Sequence, residues 1–255
     1  MSIEAEHRIV LILGSAPDAV LCRDWPRNAV SDIVAINNAW RLRSDWDYLI
    51  APDDFPPDRF PETRTANQHL ITSADYVPAN NRFGGVFYAG GTMAFTAGYW
   101  ALATLRPTVM AFLGCDMVYT RPGATHFYGS GRPDPLRRDP SLRSLEAKSA
   151  RLMLHAQRLG CACVRLSFGD SRLVFPHMRL EDLKDRRHVD AGTQRILFDQ
   201  AKEREDSLGY HTPSGRYWEA SDAYRTDEVD ELDRLWLAAA GLGAEAGPVR
   251  SELMR

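Results

Sequence analysis

The chain has 255 residues, 44% of them hydrophobic and 25% charged, with a formal net charge of -3. That composition is the one expected of a globular protein large enough for one sizeable core. It lacks the basic field that duplex nucleic acid or an anionic membrane surface would require.

Cys22, Cys115, Cys161 and Cys163 form no C-x-x-C pair, which argues against a zinc site and for buried, reduced thiols. Cys161 and Cys163 would share one face of a strand. The opening MSIEAEHR has no signal-peptide apolar core, and no apolar run reaches the length of a membrane span. The expectation is a cytoplasmic protein without a transmembrane segment, with peripheral attachment to the inner membrane and homo-oligomer formation left open.

Arg8 to Leu13 reads as a buried strand. It runs into Gly14-Ser15-Ala16-Pro17-Asp18, a small-residue loop with Pro and Asp at a helix start. Backbone N–H groups there could hold a phosphate, or the segment could be an ordinary tight βα turn. It is neither G-x-G-x-x-G nor a Walker loop.

Ser31 to Ile36 is the second strand. It ends in Asn37 and Asn38, two amides able to donate to and accept from a base, ribose or phosphate, or to shape a turn. Asp47 to Ala51 is the third, followed by Asp53 and Asp54. Either acid could meet a metal or a ribose, but adjacent side chains diverge, so at most one should point inward. Residues 56–82 read as irregular, apart from a strand near His69 to Thr72.

Gly84, Gly85, Gly90 and Gly91 would let a ligand approach the backbone closely. Thr92 stands at the start of an apolar helix, Thr92 to Leu105, where its hydroxyl could cap the helix or meet an oxyanion. Val109 to Leu113 is a fully apolar strand bounded by Pro107 and Gly114. A polar loop follows it, carrying Asp116, Tyr119, Thr120, His126 and Tyr128. Arg132, Arg137, Arg138 and Arg143 could serve a phosphate or form a solvated surface.

Ser141 to Leu159 has the period of an amphipathic helix, with Arg and Lys mostly on the face opposite its leucines and a stop at Gly160. Cys161 to Leu166 is the next strand. Beyond residue 175 the chain is charged, with helical patterns at Arg186 to Glu205 and Thr226 to Ala240. Between them, the aromatic loop 209–218 either closes over a site or packs the tail onto the body, the latter being the commoner use.

This βα alternation predicts a Rossmann-like, doubly wound, mostly parallel α/β domain over residues 1–174, with a helical C-terminal extension over 175–255 acting as lid or interface. Ligands of such sheets bind at the carboxyl ends of the strands, where all of these loops fall.

Gly114-Cys115-Asp116-Met117-Val118-Tyr119-Thr120 and His126-Phe127-Tyr128-Gly129 resemble the G-x-D-x-x-Y-T and H-x-x-G pattern of the MptE-like and motility-accessory-factor superfamily, which is related to bacterial CMP-sialyltransferases. Gly14-Ser15-Ala16-Pro17, Ala35-Ile36-Asn37-Asn38, the Asp47 to Asp53 segment and Gly91-Thr92 follow the superfamily's order, so the resemblance covers about residues 8–170.

It implies transfer of a nonulosonic acid from a CMP-linked donor to a glycan or protein acceptor. Gly14, Ser15, Asn37 and Asn38 would contact the nucleotide, Gly91 and Thr92 the ribose or phosphates, and Tyr119 and His126 the reacting centre. No cofactor is implied, and no nucleic-acid partner. The sialyltransferases carry a histidine base after the H-x-x-G-like segment, and this chain has Ser130 there.

His126 is the base candidate, or else ties the loop structurally. Asp116 could orient it, bind a metal or cap the strand end. Asp53 and Tyr128 complete the substrate-binding set. The alternatives are a pterin-type pyrophosphokinase, with magnesium on Asp53, Asp54 or Asp116, and a non-catalytic nucleotide-binding scaffold.

Overall fold

The structure, a computed structural model, describes residues 7–119, 125–129, 138–185 and 195–243. Among the described residues, six parallel strands form one sheet. They are β1 (Ile9–Leu13), β2 (Asp32–Ile36), β3 (Tyr48–Ile50), β4 (His69–Ile71), β5 (Val109–Leu113) and β6 (Ala162–Arg165), in the order β4-β3-β2-β1-β5-β6. The expected Rossmann-like α/β sheet is therefore present. Every residue of β1, β2 and β5 is buried, as apolar runs require when both faces are covered, and the one charged member, Asp32 of β2, is paired with Arg8 at 2.7 Å.

The chain moves outward from β1 through β4. It then returns to pair β5 with β1 on the other side, in register from Ile9↔Val109 to Leu13↔Leu113. The direction of travel reverses between β1 and β5, which makes their carboxyl ends the topological switch point.

One face of the sheet carries α1 (Ser73–Asn81), α3 (Met93–Thr104) and α4 (Leu145–Arg158). The other is covered by tight 3-10 turns, Pro17–Asp24, Arg27–Ala29, Asn37–Leu42 and Leu180–Asp185.

The stretch read as irregular holds β4 and α1. Pro78 lies inside α1, where it removes a helical N–H, and this breaks the pattern a sequence reading depends on. A capping box compensates: the Thr72 side chain and the Asp75 carboxylate satisfy each other's backbone N–H groups, with Thr72 N–H donating to Asp75 Oδ2 at 2.9 Å. Helix α3 begins where expected, its Thr92 hydroxyl accepting from Phe95 N–H at 3.4 Å.

Helix α4 departs most from expectation. It starts at Leu145, behind a Ser144 cap and a short turn over Pro140–Leu142, and its polar face is not solvated. Lys148, Arg151 and His155 are buried beneath the C-terminal helices α5 (Arg195–Leu208) and α6 (Thr226–Ala239), and Glu146 is buried against Arg172. Arg151 forks onto Glu205 of α5 at 2.7 and 2.8 Å, donates to the Tyr99 hydroxyl at 2.6 Å, and reaches Phe83 O. Lys148 meets Asp233 of α6 at 2.9 Å.

The apolar side of the extension fills a second core with α2 (Val86–Ala89), where Phe87, Tyr88, Phe198, Tyr217 and Trp236 pack together. The part of the expected tail helix at 186–194 lies outside the described residues.

These contacts correct the reading of the glycine-rich stretch. A side chain at Gly84 would come within 2.6 Å of the Glu205 carboxylate, one at Gly85 within 2.7 Å of His211, and one at Gly90 within 2.9 Å of Lys148. Three of the four glycines thus make room for the protein's own side chains, at φ of 92, 94 and 91°.

Removing one partner of a buried ion pair strands the other. Glu205→Leu should therefore cost about 3–5 kcal/mol in urea unfolding, and Arg151→Met/Glu205→Leu distinctly less. Equal losses in the two variants would show that the pairing itself carries no weight.

Candidate functional site

A cleft of about 1500 Å³ opens over the carboxyl ends of the strands. It is lined after β1 by Gly14, Ser15 and Ala16, after β2 by Asn37 and Asn38, and after β3 by Asp53 and Asp54. After β4 come Ser73, Tyr76 and Val77 of α1, and after β5 Met117, Tyr119, His126 and Tyr128. Gly91 and Thr92 join from the start of α3. Ten of the residues singled out from sequence are thereby brought together: Gly14, Ser15, Asn37, Asn38, Asp53, Gly91, Thr92, Tyr119, His126 and Tyr128.

Close packing at the switch point fixes the floor. A side chain on Gly14 would fall 2.2 Å from Gly114 O, so the loops after β1 and β5 touch backbone to backbone. Gly14 N–H donates to Leu113 O at 2.8 Å and Ala16 N–H to Gly114 O at 3.0 Å. Asn37 and Met117 both line the cleft with left-handed backbone, at φ of 52 and 56°. Such strain concentrates at functional sites.

Asn38 is only 4% exposed. The side-chain oxygens of Asn37 and Asn38 are buried without a hydrogen-bond partner. A buried, unsatisfied acceptor costs about 1–3 kcal/mol, so its presence in a cleft wall calls for an explanation.

His126 sits on a small hairpin, where its N–H and carbonyl exchange hydrogen bonds of 3.0 Å with Gly129. Phe127 N–H ties that hairpin to Ser15 O at 2.9 Å, so the loop after β5 is fastened to the loop after β1. The imidazole stacks on Tyr128, centroids 4.9 Å apart, and its Nδ1 lies 2.8 Å from the Thr125 hydroxyl. Burial lowers the His126 pKa below its ordinary 6.5, so the ring is neutral at pH 7 and able to accept a proton.

Tyr76 is pushed up to about 12, by burial first and then by Asp53 and Asp54, which keeps it a hydrogen-bond donor. Among the described residues no three His, Cys, Asp or Glu side chains are grouped to hold a metal ion.

Comparison with known protein families, with curated proteins and with solved structures found no match. The geometry of the cleft therefore carries the functional argument.

Asp116 is not part of the cleft wall. It is 8% exposed, its Oδ1 has no hydrogen-bond partner, and it neighbours Asp18, Ser167, Ser171 and Arg165. Thr120, Ser130, Arg132 and Arg137 lie outside the described residues. Arg138 is exposed and does not line the cleft, and Arg143 pairs with Asp230 of α6.

Sequence reasoning missed Arg41, Arg59 and the α1 residues of the wall, the last because Pro78 hid the helix. It also missed Asp139, Ser141 and Tyr217 as a connected group. The Tyr217 hydroxyl donates to Asp139 Oδ2 at 2.6 Å, and Ser141 Oγ donates to Asp139 Oδ1 at 2.6 Å. Ser141 Oγ in turn accepts from Gly91 N–H at 3.0 Å. The only sequence signal for this group was the aromatic content of the loop 209–218.

Burial raises the Asp116 pKa from 3.8 to about 6. The folded chain therefore holds a proton that the unfolded chain releases between those values, so stability falls as pH rises through that window. Asp116→Asn should stabilise the fold by up to about 3 kcal/mol at pH 7.5, the gain shrinking to nothing near pH 4. Thermal unfolding of both proteins across that range checks it, and a lower Tm for the variant at pH 7.5 would contradict it.

Proposed function

We propose that this protein is a glycosyltransferase acting on a nucleotide-activated sugar, with a CMP-linked nonulosonic acid as the donor. The observation that carries the reading is the unpartnered, buried Asn38 amide oxygen in the wall of a cleft at the carboxyl ends of a parallel sheet. A ligand N–H or O–H, such as a base amino group or ribose hydroxyl, would satisfy it.

Met93 and Ala94 line the cleft in the first turn of α3, where helix N–H groups lack intrahelical partners and the dipole is positive. A donor phosphate seated there would be stabilised as it departs. The cleft exceeds the roughly 300–1,000 Å³ of a single small-ligand site, which leaves room for donor and acceptor together. The order of its loops is also the order the superfamily resemblance implies.

In the reaction, an acceptor hydroxyl oxygen bonds to the anomeric carbon while the bond from that carbon to the phosphate oxygen breaks. The hydroxyl proton passes to the His126 imidazole, and CMP leaves with the electron pair. Attack from the face opposite the phosphate inverts the anomeric centre. No metal ligand is required by these steps.

A thermal-shift series of CMP, UDP, GDP and ATP, each with and without Mg²⁺, tests the reading. CMP alone at about 100 times its Kd should add about 2.7 kcal/mol of stability. A shift with ATP and Mg²⁺ but none with CMP would sink it in favour of pyrophosphoryl transfer. With turnover in hand, His126→Ala should lower kcat by about 10²–10⁴-fold while leaving the CMP shift intact. The acidic limb of the wild-type pH profile should have its midpoint below 6.5.

A further inference from the structure

The C-terminal extension brings one more element to the cleft. Trp218 is 61% exposed, yet it lines the cleft beside Arg216. An exposed indole is ordinarily a loose surface group, and this one is held. Its neighbour Tyr217 is buried, packs against Phe87 at 5.8 Å and is anchored to Asp139 at 2.6 Å.

Three residues before Trp218, Gly215 adopts φ 74° and sits so close to Val77 of α1 that a side chain there would come within 2.8 Å. Asn81 of α1 donates to Pro213 O at 2.8 Å. On the C-terminal side, Tyr224 stacks on Phe87 with ring centroids 4.1 Å apart. The backbone is thus fixed to the body of the protein on both sides of Trp218, and the large aromatic surface is presented to solvent at low further entropic cost.

We infer that Trp218 is the stacking platform for a sugar ring of the acceptor. The inference rests on the transferase reading above and deepens it. The nucleotide features, Gly14, Asn38 and the start of α3, all belong to the sheet domain, whereas Trp218 comes from the extension. A pyranose has one face of C–H groups and an edge of hydroxyls. That pattern suits an indole that lines the cleft together with Ser214 and with Arg216, whose guanidinium lies 3.6 Å from Glu219.

The test uses the full chain and a panel of methyl glycosides (galactoside, glucoside, N-acetylglucosaminide and mannoside) observed by saturation-transfer NMR, with CMP titrated separately. Transfer to the C–H protons of one ring face is expected with the wild-type protein. Trp218→Ala should weaken that binding by about tenfold or more, Trp218→Phe should retain most of it, and CMP affinity should stay within about twofold in both.

The inference is overturned if no glycoside receives saturation from the wild-type protein, or if Trp218→Ala leaves the transfer unchanged. It is also overturned if Trp218→Ala weakens CMP as much as the sugar, which would assign the indole to the nucleobase. Glycosides bound through Trp218 by a protein that binds no nucleotide would overturn the transferase reading and leave the platform standing.

Discussion

The buried ion pair between Arg151 and Glu205 is the constraint on which the rest of the structure depends. Two charges that water would solvate well are enclosed, at 0% and 1% side-chain exposure, and only close mutual geometry makes that tolerable. Arg151 satisfies Glu205, Tyr99 and the Phe83 carbonyl at once, so it joins α3, α4, α5 and the approach to α2. Gly84 must lack a side chain because that pair occupies its space. The extension is consequently registered on the sheet domain by directional bonds as well as by its apolar core. That registry is what sets the loop 209–218 at the edge of the cleft.

A separate chain of hydrogen bonds ties the extension to the edge of the cleft. Tyr217 of the extension, Asp139 and Ser141 ahead of α4, and Gly91 ahead of α3 form one connected set. The backbone at Gly91, beside the positive end of α3, is therefore positioned partly by a residue more than a hundred positions further along the chain. A second set works across the switch point, where Phe127 bonds to Ser15 and the Gly14 and Gly114 loops touch. The candidate base and the candidate nucleotide loop are held to each other through it.

Much of this was legible in the sequence, and the reasons are physical. Strands buried on both faces must be continuously apolar, and β1, β2 and β5 read within one residue of their observed bounds. Polar and small residues placed just after such runs fall on one sheet edge by topology alone, so Asn37, Asp53 and His126 could be grouped without coordinates.

What failed involved partners distant in sequence. The charged face of α4 looks solvated until α5 and α6 are seen to cover it. The glycines at 84, 85 and 90 look like ligand space until Glu205, His211 and Lys148 are seen to fill it. Helix α1 was hidden by Pro78, whose cost is offset by a capping box rather than by any periodic pattern. Asp116, grouped with His126 by proximity in sequence, does not line the cleft; its carboxyl neighbours Ser167 and Ser171 of the loop after β6.

The central position of β1 also shapes how the chain must assemble. Its partner on one side, β2, arrives about twenty residues later, but β5 arrives only after about a hundred. Until Val109 has been made, β1 is an edge strand with two apolar faces and a row of unpaired backbone groups, the arrangement most prone to recruit another chain. Closure of that long loop places a non-local pairing at the middle of the sheet, a topology associated with slow folding. A chain interrupted between β4 and β5 would expose its most hydrophobic strand.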